Sequence, residues 1–159
     1  MENKSAFRRS RFGEEPVVKI LVVDDDFFSR TLLGELLQHY GTVHFAASGK
    51  EALDAVRASL KSADLYQLIC LDIVMPELDG QLVLKQIRNL EIEAGISHDK
   101  LCKIIMTTAL NDGASILGAF RENCDGYLVK PFDANQLRGL LAEFKMIDDN
   151  DVQRSSNPV

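Results

Sequence analysis

Tryptophan is absent from the 159 residues, and cysteine, histidine and proline occur three, three and four times. Cys70, Cys102 and Cys124 are odd in number and have neither paired nor metal-ligand spacing, which argues against a disulfide framework or a zinc site. His39, His44 and His98 are scattered, with no second ligand at metal-binding spacing. Basic residues are also short, 18 against 24 acids, for a net charge of -6 and a pI near 5.0. That balance excludes nonspecific nucleic-acid binding, which depends on Lys and Arg displacing counterions. No apolar run approaches the roughly 20 residues that span a bilayer. The segment from Met1 to Pro16 carries Lys4, Arg8, Arg9 and Arg11 but lacks the apolar core of a secretory signal. Neither nucleic acid nor membrane is expected as a partner, and the expected location is cytoplasmic.

With 46% hydrophobic and 26% charged residues, the chain suits one globular domain with a full core. Residues 1–16 read as a flexible arm, 17–145 as the folded domain, and 146–159, rich in Asp, Ser and Asn, as a disordered tail.

Within the domain, apolar and β-branched runs alternate with helical periodicity. The strands are expected at about Val17–Val23, Val43–Ala46, Leu68–Leu71, Leu101–Thr108 and from Gly126 onward. After the first strand, Phe28, Leu32, Leu33, Leu36 and Leu37 form a helical stripe that reads as core, with Gly41 as the C-terminal stop. Ser48 and Glu51 form a capping box for a second helix buried through Ala52, Leu53, Val56 and Leu60. Met75-Pro76-Glu77-Leu78-Asp79-Gly80 is a loop in which Asp-Gly favours a turn. A long third helix buries Val83, Ile87, Leu90 and Ala94 and closes at Gly95. A short fourth helix is expected near Asp112, and a last one, capped by Asp133-Ala134-Asn135-Gln136, turns Leu137, Leu140, Leu141 and Phe144 inward. Five strands and five helices in alternation make an α/β parallel sheet with helices on both faces.

Four polar signatures stand at the downstream ends of four of these strands: Asp24-Asp25-Asp26, Asp72, Thr108 and Lys130. In open α/β sheets those ends line the binding crevice. Several carboxylates, a hydroxyl and an ammonium in one crevice suit a divalent cation together with a phosphoryl group. Mg²⁺ favours oxygen ligands and keeps several waters, so Asp25 and Asp72 suffice as side-chain ligands. Clustered carboxylates repel unless a cation neutralises them, which accounts for a metal and Lys130 beside each other. An Asp oxygen can attack phosphorus once the negative charge is offset. These considerations alone do not say which carboxylate is ligand and which nucleophile.

The segments ILVVDDD (Ile20 to Asp26), LDIVMPELDG (Leu71 to Gly80), MTTA (Met106 to Ala109) and GYLVKPF (Gly126 to Phe132) resemble, in order and spacing, the receiver domain of two-component response regulators. The family includes the stand-alone chemotaxis type, than which the third helix here looks several residues longer, and the likeness covers about Val17 to Phe144. It implies a flavodoxin-like sheet of order 2-1-3-4-5. It further implies that Asp72 accepts phosphate from a sensor histidine kinase or histidine phosphotransfer protein. Asp25 would bind Mg²⁺, Asp24 would assist, and the backbone carbonyl of Val74 would complete the protein ligands. Thr108 and Lys130 would contact the phosphoryl oxygens, Thr108 and Tyr127 would act as the switch pair, and Lys130-Pro131 would be cis. Asp26, where Glu is more usual, reads better as a helix N-cap. Val74 and Leu110 flank the pocket without a polar group to orient water, so slow dephosphorylation is expected.

Together these readings describe a single-domain phosphoacceptor switch with at most weak autophosphatase activity, acting on an unknown output protein as a monomer or phosphorylation-dependent dimer. A phosphate sink or an unphosphorylated interaction module is the alternative. A metal-dependent phosphohydrolase would want a second Asp where Val74 stands, and a nucleotide or flavin binder would want a phosphate loop where the acidic run stands.

Overall fold

A computed structural model describes residues 18–109 and 124–148. Five strands, β1 (Val18–Val23), β2 (Gly41–Ala46), β3 (Leu68–Asp72), β4 (Lys103–Ala109) and β5 (Gly126–Lys130), form one sheet in the order β2-β1-β3-β4-β5. Every pairing is parallel. The described helices are α1 (Phe27–Leu37), α2 (Gly49–Ser62), α3 (Gly80–Glu93), a 3₁₀ turn at His98–Lys100, and α4 (Ala134–Glu143). The helix expected near Asp112, the arm and most of the tail lie outside the described residues. Met146 and Ile147, placed in the tail from sequence, pack against the core beside α4.

The apolar runs become strands because both sheet faces are covered. Ile20 and Val22 point to one layer with Leu33, Leu37, Leu137 and Leu141, while Leu21 and Val23 point to the other with Leu53, Val56, Val83 and Ile87. Consequently α1 and α4 cover one face, and α2 and α3 the other. Cys70 and Cys102 are buried in this framework, and burial pushes the Cys70 thiol up to about 12, so both behave as small apolar side chains. His44 lies on β2 with Nδ1 2.8 Å from the Tyr66 hydroxyl.

Three local expectations are corrected. Leu33 and Leu37 are buried, but Phe28 is 81% and Leu32 44% exposed. At about 100° per residue, 28 and 32 lie about 140° and 100° around the helix from Leu33, so the 28-32-36 row reaches the buried face only at Leu36, which packs against the core. Gly41 does not stop α1, which ends at Leu37; it opens β2, where a Cβ would lie 2.1 Å from the Val18 carbonyl oxygen. Asp79-Gly80 makes no turn: Asp79 caps α3 by accepting from the Leu82 N–H at 3.0 Å, and Gly80 is the first helical residue. The closing glycine of α3 is as expected, with Gly95 at φ 71.

Charge also holds the fold at the N-terminal end of the strands. Glu91, only 4% exposed, accepts from the Cys102 N–H at 2.8 Å and pairs with Arg88 at 2.7 Å. Arg88 donates to the Cys102 carbonyl at 2.8 Å and to Asp125 at 3.0 Å, and Asp125 accepts from the Ile104 N–H at 2.8 Å. Each buried charge therefore has partners, which offsets much of its desolvation cost. The network ties α3 to the starts of β4 and β5.

Candidate functional site

The β1–α1 turn carries the first three acids. The Asp24 N–H continues the ladder to the Ala46 carbonyl at 3.1 Å, and Asp24 Oδ1 accepts from the Asp26 N–H at 2.9 Å. Asp26 then caps α1 by accepting from the Ser29 N–H at 2.9 Å, and the hydrogen bonds from Ser29 hold its carboxyl below the usual range. Its role as a helix cap is thus borne out. Only Asp24 and Asp25 turn toward the strand ends, the former buried and the latter exposed.

The adjacency of β1 and β3 brings Asp72 beside them. Carboxylate oxygens of Asp24, Asp25 and Asp72 all lie within 4.8 Å of one another. From β5, Lys130 reaches in, with Nζ 2.9 Å from Asp24 Oδ2 and 3.5 Å from Asp72 Oδ2. Asp72 is 5% exposed and has one weak backbone contact, from the Val74 N–H to Oδ1 at 3.4 Å. Burial, then repulsion from Asp24, raise its pKa to about 7 against the opposing pull of Lys130. Burial works against the Lys130 ammonium too, but the two adjoining carboxylates outweigh it and hold its pKa above the ordinary value.

These residues fit a hard divalent cation. All their side-chain donors are oxygens, the chemistry that suits Mg²⁺. Despite its proximity to Lys130, the buried Asp24 Oδ2 accepts no hydrogen bond of good geometry. The Lys130 ammonium pairs with two of the three clustered carboxylates, so the cluster carries more negative charge than that one cation balances.

The other sequence candidates are placed nearby. Thr108, 3% exposed, stands near the end of β4, one residue beyond the Thr107 that pairs with Asp72, and its hydroxyl donates to the Ala109 carbonyl at 3.2 Å. Tyr127 is paired with Met106 on β5, and the residue is 37% exposed. Val74 follows β3 with its side chain 58% exposed, and Lys130-Pro131 is cis. Leu110 lies outside the described residues.

Two contributors were not foreseen. A Cβ on Gly80 would lie 2.1 Å from the Asp72 carbonyl oxygen, while the Gly80 N–H donates to the Ile73 carbonyl at 2.9 Å. Only glycine lets α3 begin this close to the end of β3. Arg30 folds back over the first turn of α1, and its guanidinium donates to the Asp24 carbonyl at 2.7 Å. An Arg in a helix gives no sequence signal for such a contact.

A doubly wound parallel sheet with a carboxylate cluster and a lysine at its strand ends defines a class of acid-pocket α/β domains. Within that class, residues 20–142 match the family model of the response regulator receiver domain. The chain belongs to this family, whose members are signalling switches that bind Mg²⁺ at an acidic pocket and interact with histidine kinases or phosphotransfer proteins. It is 31% identical over 132 residues to the osmosensing histidine protein kinase SLN1 of Saccharomyces cerevisiae, covering 82% of this chain and 10% of that protein. It is likewise 31% identical to the chemotaxis protein CheY of Bacillus subtilis, covering 75% of this chain and 90% of that one. The chain spans about half the length of other curated relatives that it matches. Among solved structures, the receiver domain of the histidine kinase CKI1 from Arabidopsis thaliana, complexed with Mg²⁺ and BeF₃⁻, matches with a TM-score of 0.70 and 29% identity over 82% of this chain and 91% of that chain. Among the described residues, no helix is long and apolar enough to cross a membrane.

Proposed function

We propose that this chain is a single-domain, cytoplasmic phosphoacceptor switch in which Asp72 takes a phosphoryl group from a phosphohistidine on a sensor kinase or phosphotransfer protein. The observation that carries the reading is the environment of Asp72: a buried carboxylate pressed by Asp24, faced by Lys130, at the open end of the sheet. An Asp72 carboxylate oxygen forms the new bond to phosphorus. The P–N bond breaks, and its electron pair stays with the donor's imidazole.

Asp25, Asp24, Asp72 and the Val74 backbone carbonyl would hold Mg²⁺. When bound, the metal neutralises charge on the phosphoryl oxygens and on the carboxylates. Lys130 supplies fixed positive charge already aimed at Asp72, so little reorganisation is needed as negative charge develops. Thr108 then offers a hydroxyl to the transferred group, and Tyr127 moves with it. The resulting bias in a pre-existing equilibrium is read on the face carrying β5 and α4 by an output protein or a second copy. Val74 holds no water for attack on the acyl phosphate, so self-dephosphorylation is weak.

Incubation with Mg²⁺ and acetyl phosphate, followed by intact mass, tests the reading. The native chain gains one phosphoryl group and Asp72→Asn gains none; no gain on the native chain, or equal gain on both, overturns it.

A further inference from the structure

The three acids differ in how they are held. Asp24 is fixed through its N–H, its carbonyl and both carboxylate oxygens, by Ala46, Arg30, Asp26 and Lys130 respectively. Asp72 has Lys130 and the Val74 N–H. Among the described residues, Asp25 has no hydrogen bond or ion pair of its own, although its carboxylate belongs to the cluster. With no side-chain partner to steer it, where its carboxylate can reach is set by the placement of its backbone, beginning with the peptide plane that joins it to Asp24.

Arg30 grips that plane. Its Nη1 donates to the Asp24 carbonyl at 2.7 Å, the short distance of a strong charge-assisted bond. Side chains on a helix lean toward its N-terminus, so an Arg on the first turn can reach back to the residue before the cap. Phe27 holds it there, its ring 5.7 Å from the guanidinium carbon, in cation–π range. This contact also gives a use to a ring left 63% exposed beside the pocket. The Arg30 N–H meanwhile donates to the Asp26 carbonyl at 3.0 Å, closing the turn from the other side.

We infer that Arg30 is a positioning residue for Mg²⁺ binding: by fixing the Asp24–Asp25 peptide it aims the otherwise untethered Asp25 carboxylate at the metal position. The inference rests on the metal reading proposed above and deepens it. It runs against simple electrostatics, because a cation near a dication's site should weaken binding. The two effects thus have opposite signs, which makes the test decisive.

Mg²⁺ affinity is measured by calorimetric titration of the native chain, Arg30→Ala, Arg30→Gln and Arg30→Lys at one ionic strength, with urea midpoints in EDTA as a check on the fold. Losing one strong hydrogen bond to the turn weakens Mg²⁺ binding about threefold to tenfold in Arg30→Ala. Arg30→Gln and Arg30→Lys, each keeping an N–H donor, recover part of the loss, while the midpoints in EDTA stay close together. Equal or tighter binding by Arg30→Ala overturns the inference and leaves the function standing. Equal weakening in Ala, Gln and Lys overturns it as well, since a donor would then not matter. Should Ala not fold, Gln and Lys carry the same comparison with the native chain, and binding by both at least as tight as native overturns it. No Mg²⁺ binding by the native chain overturns the metal reading itself, and the inference with it.

Discussion

Replacing Asp72 by Asn should stabilise the metal-free protein, although it removes the proposed acceptor. In the fold, burial and the neighbouring Asp24 raise the Asp72 pKa from 3.8 to about 7. Between those values the folded chain holds a proton that the unfolded chain has released. The associated stability is fully present below pH 3.8 and is lost as pH rises through 7. At about 1.4 kcal/mol per pH unit, the loss reaches about 2 kcal/mol by pH 5 and about 4 kcal/mol by pH 8. Asn is isosteric and uncharged, so it escapes this loss; Lys130 keeps Asp24 at 2.9 Å as a partner. Urea unfolding in EDTA should therefore show Asp72→Asn ahead of the native chain by about 2 kcal/mol or more at pH 8, with a smaller lead at pH 5. Mg²⁺ should shrink the lead, because binding at 100 times Kd adds about 2.7 kcal/mol to the native chain and less to a site short of one carboxylate. A native chain more stable than Asp72→Asn in EDTA at pH 8, or a lead that does not grow with pH, would refute the reasoning.

Val74→Asn should shorten the lifetime of the phosphorylated protein at least about threefold by giving water an oriented partner beside Asp72; an unchanged half-life in Mg²⁺ would count against it. Arg88→Met leaves the buried Glu91 without its cation, so a loss of about 3 kcal/mol in urea unfolding is expected, and a change below about 1 kcal/mol would show that the network contributes little. Gly80→Ala forces a methyl toward the Asp72 carbonyl oxygen. It should cost about 1–3 kcal/mol and slow labelling by acetyl phosphate, and native labelling kinetics would show that the helix start can yield without disturbing Asp72.

The strands were legible because a strand covered on both faces is a nearly continuous apolar run, as in Ile20 to Val23 and Leu68 to Leu71. Three of the four polar signatures could be placed for the same reason: Asp24, Asp72 and Lys130 are each the first interruption of such a run, while Thr108 stands one residue beyond the Thr107 that ends its run. Helix faces were harder. Residues 28, 32 and 36 satisfy an apolar spacing, yet only the packing partners decide how far the buried stripe extends around α1. Glu91 was invisible as a core residue because its burial depends on Arg88 and the Cys102 peptide, which the fold supplies. Asp79-Gly80 carries the local signature of a turn, but the missing Cβ serves a close approach to Asp72, eight residues earlier in the chain. Arg30 belongs with these, since a side chain that grips a backbone carbonyl leaves no periodicity to read.

The hydrogen bond from the Gly80 N–H to the Ile73 carbonyl closes the neck of the loop between β3 and α3, and the Ile73 N–H is itself held by the Thr107 carbonyl at 3.0 Å. Residues 74–79 therefore hang from a stitched base. Met75 is buried, Leu78 packs against the core and Asp79 caps α3, so it is at the exposed Pro76 and Glu77 that length and sequence can vary while Asp72 stays in register with its sheet. For an engineer, this is a cassette: a recognition peptide spliced between Pro76 and Glu77 would sit beside the proposed acceptor and would redirect its donor without disturbing Asp72.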